Sequence, residues 1–295
     1  MTEADKAYFR LHFGILLAGA TGIFGRLISL SELPLVWVRV LIAAISMTLV
    51  MAASKALRKV SGEDFVRIGG CGVLLAIHWV FFYASIKFAN VSIAVVCIAL
   101  DGFFTAILES LIHRCRPSWR EILLSLITVA GILLIFGIDP RYRLGIALGA
   151  VSSLVYALFS ICSKHVQAQT GHRSSTMLLY ELISGGIVLT LAMPLYVWMF
   201  PEARLVPTTA DCIMLPVFGS IFTVGPFLLQ LQALRHISAF TVNLSYNLEP
   251  IYSIVLAMII FNEANELNRA FWIGVLLIIM SVVLQTLYSK KSPDK

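Results

Sequence analysis

VSIAVVCIALDGFFTAILESLI, at 91–112, places Asp101 ten residues into a run of membrane-spanning length. AFTVNLSYNLEPIYSIVLAMIIF, at 239–261, places Glu249 ten residues into another. A helix rises about 1.5 Å per residue, so each carboxyl lies roughly 15 Å deep, half of a ~30 Å hydrocarbon core. A charge at that depth costs at least about 2.5–3.5 kcal/mol, and such groups face a cavity or a partner and mark a pathway. One acid in each half, at one register, predicts a duplicated membrane protein with its site at the interface of the repeats.

The composition agrees. Of 295 residues, 59% are hydrophobic and 13% charged, and the mean hydropathy is +0.90. Soluble domains carry about 25% charged residues, so the chain reads as an all-α integral membrane protein with no room for a separate soluble domain. The first apolar run starts near Leu11 after a short charged segment. It lacks a small-residue cleavage site and reads as a retained helix rather than a signal peptide. The net charge of +6 and the pI of 9.1 do not signal a nucleic-acid partner, because the bases gather in loops on one side of the membrane. Cys71, Cys97, Cys115, Cys162 and Cys212 are odd in number and show no paired metal-ligand spacing. Most fall in or beside apolar runs, which argues against a disulfide framework.

Ten apolar runs fit spanning helices: 11–30, 34–54, 66–87, 91–112, 121–138, 144–164, 176–199, 213–234, 239–261 and 270–288. The longest connection, FPEARLVPTTADC at 200–212, has two prolines and mixed charges and suits an interfacial loop. With the N-terminus in the cytoplasm, fifteen of the 22 Lys and Arg fall on the cytoplasmic side and five on the far side. Arg26 and Arg39 lie within helices. That bias places both termini in the cytoplasm. ASIKFANVSIA at 84–94 aligns with QALRHISAFTV at 232–242, an offset of 148 that also lays Lys87 on Arg235 and Asp101 on Glu249. GILLAGATGIF at 14–24 aligns with GIALGAVSSLV at 145–155, an offset of 131, and longer loops in the second half absorb the difference. The repeats fall at 1–138 and 139–295 with five helices each. Five is odd, so the second copy enters the membrane from the opposite side. The expected architecture is ten transmembrane helices as two inverted-topology five-helix repeats.

The stretch SAFTVNLSYNLEPIYSIVLAMIIFNE at 238–263, followed by FWIGVLLIIMSVVL at 271–284, resembles an EamA domain of the drug/metabolite transporter superfamily. The matching marks are Glu249-Pro250 inside helix 9, Glu263 just after it, and Gly274 opening the last helix. The first half resembles the family at PLVWVRVLIAA, 34–44, with Arg39 in its usual place, and at FFYASIKFA, 81–89. The resemblance implies ten helices, cytoplasmic termini, and a central cavity lined mainly by helices 1, 3, 4, 6, 8 and 9. It also implies export or exchange of small metabolites, often amino acids. The first half departs from the pattern. Asp101-Gly102 stands where the family tends to have proline in helix 4, and Cys115 takes the later Glu position.

Asp101 reads as a proton or cation site, set against a structural acid bonded to a neighbouring helix. Gly102 beside it could loosen the helix or admit a ligand to backbone. Pro250 lacks an N–H and frees a carbonyl near Tyr246, so Glu249-Pro250 is either a site with a hinge or a structural kink. His78 and Trp79 lie mid-helix 3, and Trp79 shares a face with Tyr83 four residues on. The three form a binding candidate in a helix expected to line the cavity, although a lone His in an apolar helix also packs. The repeat-mate of His78 is Pro226, an asymmetry that an asymmetric ligand would select. Gln230, Asn243 and Tyr246 are either interhelical glue or cavity groups. Asn243, Tyr246 and Glu249 continue one stripe, and Tyr156 and Ser160 make a weaker pair in helix 6. Arg26 and Arg39 read as snorkelling arginines near the outer ends of helices 1 and 2. Glu181 holds the register of Arg39 at an offset of 142, near the cytoplasmic end of helix 7, and Glu109 is expected to pair with His113, Arg114 and Arg116.

The sequence carries no phosphate-binding glycine loop, HExxH or clustered Cys/His pattern, and no Ser-His-Asp arrangement stands out. The expectation is a non-enzyme without metal or cofactor. It is a secondary transporter of a bacterial inner membrane that exports or exchanges a small-molecule substrate, an amino acid or related compound. Alternating access about a midplane cavity would move it, with a proton or cation coupled through Asp101, Glu249 or both. Trp79, Tyr83 and Tyr246 suit an amphipathic or aromatic amino acid. Two alternatives stand beside this reading. One is an uncoupled facilitative transporter. The other is a non-transport integral-membrane binding or enzyme module, which would need a polar catalytic cluster at one surface, whereas the notable polar groups lie at mid-depth.

Overall fold

The computed structural model describes residues 3–98, 100–112, 119–136 and 143–261, with parts of 273–284. A chain in lipid has no water to satisfy its backbone, and this one answers with helices: among the described residues there is no strand. In chain order the helices are α1 (Glu3–Gly19), α2 (Thr21–Leu27), α3 (Glu32–Ala53), α4 (Gly62–Phe88), α5 (Val91–Ile98) and α6 (Leu100–Ile112). Then come α7 (Trp119–Phe136), α8 (Arg143–Thr170), α9 (Ser174–Met199), α10 (Thr209–Leu234), α11 (Ala239–Ser245) and α12 (Glu249–Phe261). Among the described residues, seven helical spans are long and apolar enough to cross a membrane. They are Asp5–Leu27, Glu32–Ala53, Gly62–Phe88, Ile93–Ile112, Arg143–Thr170, Ser174–Met199 and Thr209–Leu234, and a shorter apolar helix covers Ile122–Gly131. The described residues are those of a multi-pass membrane protein built of helices. Cys115, Glu263, the expected pairing of Glu109 with His113, Arg114 and Arg116, and most of the run at 270–288 lie outside the described residues.

Helix ends follow local chemistry. The Ser61 hydroxyl accepts from the Asp64 N–H at 3.0 Å, and the Ser238 hydroxyl from the Thr241 N–H at 3.1 Å. Thr208 and Asp211 cap α10 reciprocally: the hydroxyl accepts from the Asp211 N–H at 3.2 Å and the carboxylate from the Thr208 N–H at 2.9 Å. Gly171, at φ +66°, turns the chain between α8 and α9 in a conformation that glycine adopts freely.

The segment around Glu249 is interrupted as its proline requires. A 3₁₀ turn, Tyr246–Leu248, separates α11 from α12. Pro250 has no N–H to offer the Tyr246 carbonyl, which accepts instead from the Glu249 N–H.

The two ends of the chain interlock. α4 packs chiefly on α8 and α9, α10 packs chiefly on α1 and α3, and α3 also lies against α9. In lipid such contacts depend on close packing, which small residues at the crossing permit. α10 meets α3 at Gly219, where a Cβ would lie 3.1 Å from the Arg39 carbonyl oxygen and overlap Ile42. α4 meets α9 at Gly72, where a Cβ would overlap the Glu181 backbone and the Ser184 side chain. Adding 142 to the α3 pair, Arg39 and Ile42, gives the α9 pair, Glu181 and Ser184.

Candidate functional site

Ten elements converge on one cavity of about 30 Å³. α4 supplies His78, Trp79, Phe82 and Tyr83; α3 supplies Arg39, α6 Asp101, α8 Tyr156, and α12 Glu249. Tyr246 comes from the 3₁₀ turn, and Pro226 and Phe227 from α10. Ala18, Thr21 and Ile98 of α1, α2 and α5 complete the lining. A space of this size holds about two water molecules, so a metabolite enters only if helices part.

Arg39 departs most from the sequence reading. It is not at the lipid interface but 1% exposed and inside the bundle. Seven residues beyond the start of α3, it lies roughly 10 Å in, and its side chain turns inward rather than snorkelling. Its Nε donates to Thr223 Oγ1 at 2.7 Å and one terminal nitrogen donates to the Tyr83 hydroxyl at 2.6 Å. The guanidinium carbon sits 4.4 Å from the Trp79 ring centroid, 4.5 Å from Phe218 and 5.5 Å from Tyr83. Three ring faces and two hydroxyls thus stand in for water around a permanent cation. Arg26, in contrast, is exposed at the end of α2.

The two acids share this cavity with Arg39. Asp101 is fully buried, and neither carboxyl oxygen has a hydrogen-bond partner among the described residues. Ser153 lies beside it but donates to the Cys97 carbonyl at 2.5 Å. Glu249 is 4% exposed and interacts electrostatically with Arg39 and with Asp101. Gly102 packs against Leu244 of α11 and lies near Ser125 of α7.

The histidine is built in rather than free. His78 Nδ1 lies 3.1 Å from the Ser152 carbonyl oxygen and 2.9 Å from its hydroxyl. A carbonyl only accepts, so this contact assigns the ring proton to Nδ1. The ring packs on Tyr156, with centroids 4.5 Å apart. His78 and Trp79 are adjacent in sequence, yet both line the cavity along with Phe82 and Tyr83. The cavity wraps around α4 more broadly than one narrow stripe. His78 and Pro226, aligned at the offset of 148, both line it, as do Asp101 and Glu249 at the same offset.

Three sequence candidates separate. Tyr246 and Glu249 reach the cavity, but their stripe-mate Asn243 is not among the lining residues. Its amide donates to Thr105 Oγ1 at 2.8 Å and its oxygen accepts from Ser160 at 2.9 Å, joining three helices. Gln230 stands behind the wall and accepts from the Tyr156 hydroxyl at 2.6 Å. Membrane interhelical hydrogen bonds average about 0.6 kcal/mol, so Asn243→Ala is expected to cost roughly 1–2 kcal/mol. Thermal unfolding of the purified variant checks this. No measurable loss would show that the bridge contributes nothing net.

Past Arg39, the end of the bundle where α3 begins is tied by polar contacts. Asp211 accepts from the Ser29 N–H at 3.0 Å and hydroxyl at 2.6 Å, Lys87 Nζ donates to the Ile28 carbonyl at 2.8 Å, and the Tyr196 hydroxyl donates to Glu32 at 2.8 Å.

Sequence reasoning missed Arg39 as a cavity group, along with Phe82, Thr21 and Phe227. Two signals were available for Arg39, its usual place in the family pattern and its matched register with the acid Glu181. The rings carried none, because aromatic residues also line lipid-facing surfaces.

The family model described as the EamA-like transporter family matches residues 6–137 and again 143–287. An uncharacterized transporter, YxxF, of Bacillus subtilis (strain 168) is 24% identical over 290 residues, covering 96% of this chain and 90% of that protein. An uncharacterized transporter of Clostridium kluyveri is 21% identical over 248 residues, covering 80% and 76%. One solved crystal structure is similar in fold, with a TM-score of 0.75 at 16% identity over 98% of this chain and 99% of the other.

Proposed function

We propose that this chain, which belongs to the EamA-like transporter family, is a secondary transporter that exports or exchanges small metabolites, amino acids or related compounds. The observation that carries this reading is the cavity, where one guanidinium, two carboxyls and a wall of aromatic rings meet deep in the bundle. Thr223 and Tyr83 engage two of the five N–H donors of Arg39. The remaining donors suit a carboxylate, the two acids suit an ammonium group, and the rings suit an apolar side chain. Tyr156 and His78 complete that wall.

Movement is proposed to follow from duplication. The ten helices form two inverted five-helix repeats at 1–138 and 139–295, with both termini cytoplasmic in an inner membrane. The paired crossings at Gly72 and Gly219 support this, because they join positions of the two halves that correspond to within one residue. The repeats rock about the cavity, with Gly102 and Pro250 as hinges, and the tied end of the bundle is the closed gate. A proton or cation held by Asp101, Glu249 or both drives the cycle.

The test is efflux of a mixed amino-acid and metabolite pool from expressing cells, followed by uptake of the selected compounds into proteoliposomes under an imposed pH step. Selective efflux above empty-vector cells is expected, with accumulation against the compound's own gradient. Efflux without accumulation would favour a facilitative transporter. No efflux, with folded protein in the membrane, would overturn the export reading.

A further inference from the structure

A third buried acid stands apart from the cavity. Glu181, on α9, is 1% exposed and is not among the residues lining the central space. Its Oε1 accepts from the Ser163 hydroxyl of α8 at 2.8 Å, and its Oε2, fully enclosed, has no partner among the described residues. The seam holding it is tight, since α4 approaches the Glu181 backbone at Gly72 too closely for a side chain between them. The neighbouring Ser184 hydroxyl is already committed to the Gly69 and Glu181 carbonyls.

A carboxylate with one donor and no water is costly in hydrocarbon. Among the described residues no charged side chain offsets it. From α4 the titratable group facing it is Cys71, with Cys162 of α8 beside that thiol. On α3, Arg39 is bonded to Thr223 and Tyr83, and Glu32 to Tyr196. On α10, Asp211 is bonded to Ser29 and Thr208. A metal cation would need several oxygens around it, and among the described residues no cluster of three or more His, Cys, Asp or Glu side chains could hold one. A proton needs only Oε2.

We propose that Glu181 is a second proton-binding site of the bundle, neutral while α4 and α9 touch and releasing its proton when they part. Loading forms one O–H bond at Oε2 with a proton from water. Separation of the seam hydrates the carboxyl, and the proton returns to water with no change in oxidation. The carboxyl thereby couples proton occupancy to the packing of α4 on α9, one of the contacts through which the two ends of the chain interlock. The assignment stands independently of which metabolite moves.

Infrared spectroscopy of the full chain in lipid nanodiscs tests it. In an Asp101→Asn/Glu249→Gln background the cavity acids are gone. A protonated-carboxyl band is expected to persist at neutral pH and to disappear on adding Glu181→Gln. Ser163→Ala, with Glu181 intact, removes the one donor to Oε1 and should shift that band to higher frequency. Identical spectra with and without Glu181→Gln would overturn the proposal. Should the Gln variant fail to fold, an unshifted band in Ser163→Ala would overturn it. Retention of the Glu181 band in otherwise unaltered protein that shows no efflux would overturn the export reading and leave this one intact.

Discussion

Arg39→Ala is expected to lower the stability of the purified protein by about 3–5 kcal/mol, two or more powers of ten in the folded-to-unfolded ratio. Arg39 is 1% exposed, and two hydroxyls and three rings surround it. Hydrogen bonds to a charged donor contribute about 1.5–3 kcal/mol each, and a desolvated ring contact about 2 kcal/mol, without strict additivity. The alanine variant also leaves a cavity between Trp79 and Phe218. It strips Glu249 of the cation with which it interacts, while Asp101 remains buried in the same cavity. Arg39→Lys should fall between the two, because lysine keeps the charge but not the planar fork that bonds Thr223 and Tyr83 while stacking on the rings. Denaturation of the detergent-solubilised protein measures all three. An alanine variant within about 1 kcal/mol of the parent would show that the cluster adds no net stability.

Asp101→Asn is expected to abolish movement driven by a pH gradient while sparing substrate exchange. The asparagine side chain has the same shape, so the packing of α6 is kept. What it cannot do is gain and lose a proton. Asp101 suits that role because it lines the cavity and both its oxygens are buried with no donor among the described residues. Reconstituted vesicles separate the two activities, with an imposed pH step driving one and equal substrate on both sides reporting the other. Driven uptake should fall to the level of protein-free vesicles while exchange continues. Unchanged pH dependence would remove Asp101 from coupling. The same loss in Glu249→Gln alone would transfer the role to the second acid.

Much of this geometry was legible in the chain. Matched register pairs Asp101 with Glu249, and the two meet in one cavity with His78 and Pro226, which align at the same offset of 148. The break at Tyr246–Leu248 lies where Pro250 requires it. Arg39 and Asn243 went the other way. Both were read from their position along a helix, and position along a helix does not reveal its rotation. Arg39 belongs to the cavity because Thr223 and Tyr83 wait for it, 184 and 44 residues away. Asn243 is shared between Thr105 and Ser160, 138 and 83 residues distant.

The amino-acid sequence by itself determined that the chain is apolar enough for a membrane, that it folds as helices there, and where most of the described helices run. Those are local properties, set by the apolar solvent and by a fixed rise per residue. Only the tertiary structure decided which polar groups meet. The close crossings at Gly72 and Gly219 set how each helix is turned against its neighbours, and that turn puts Arg39 in the cavity while its register-mate Glu181 is sealed in the seam between α4 and α9.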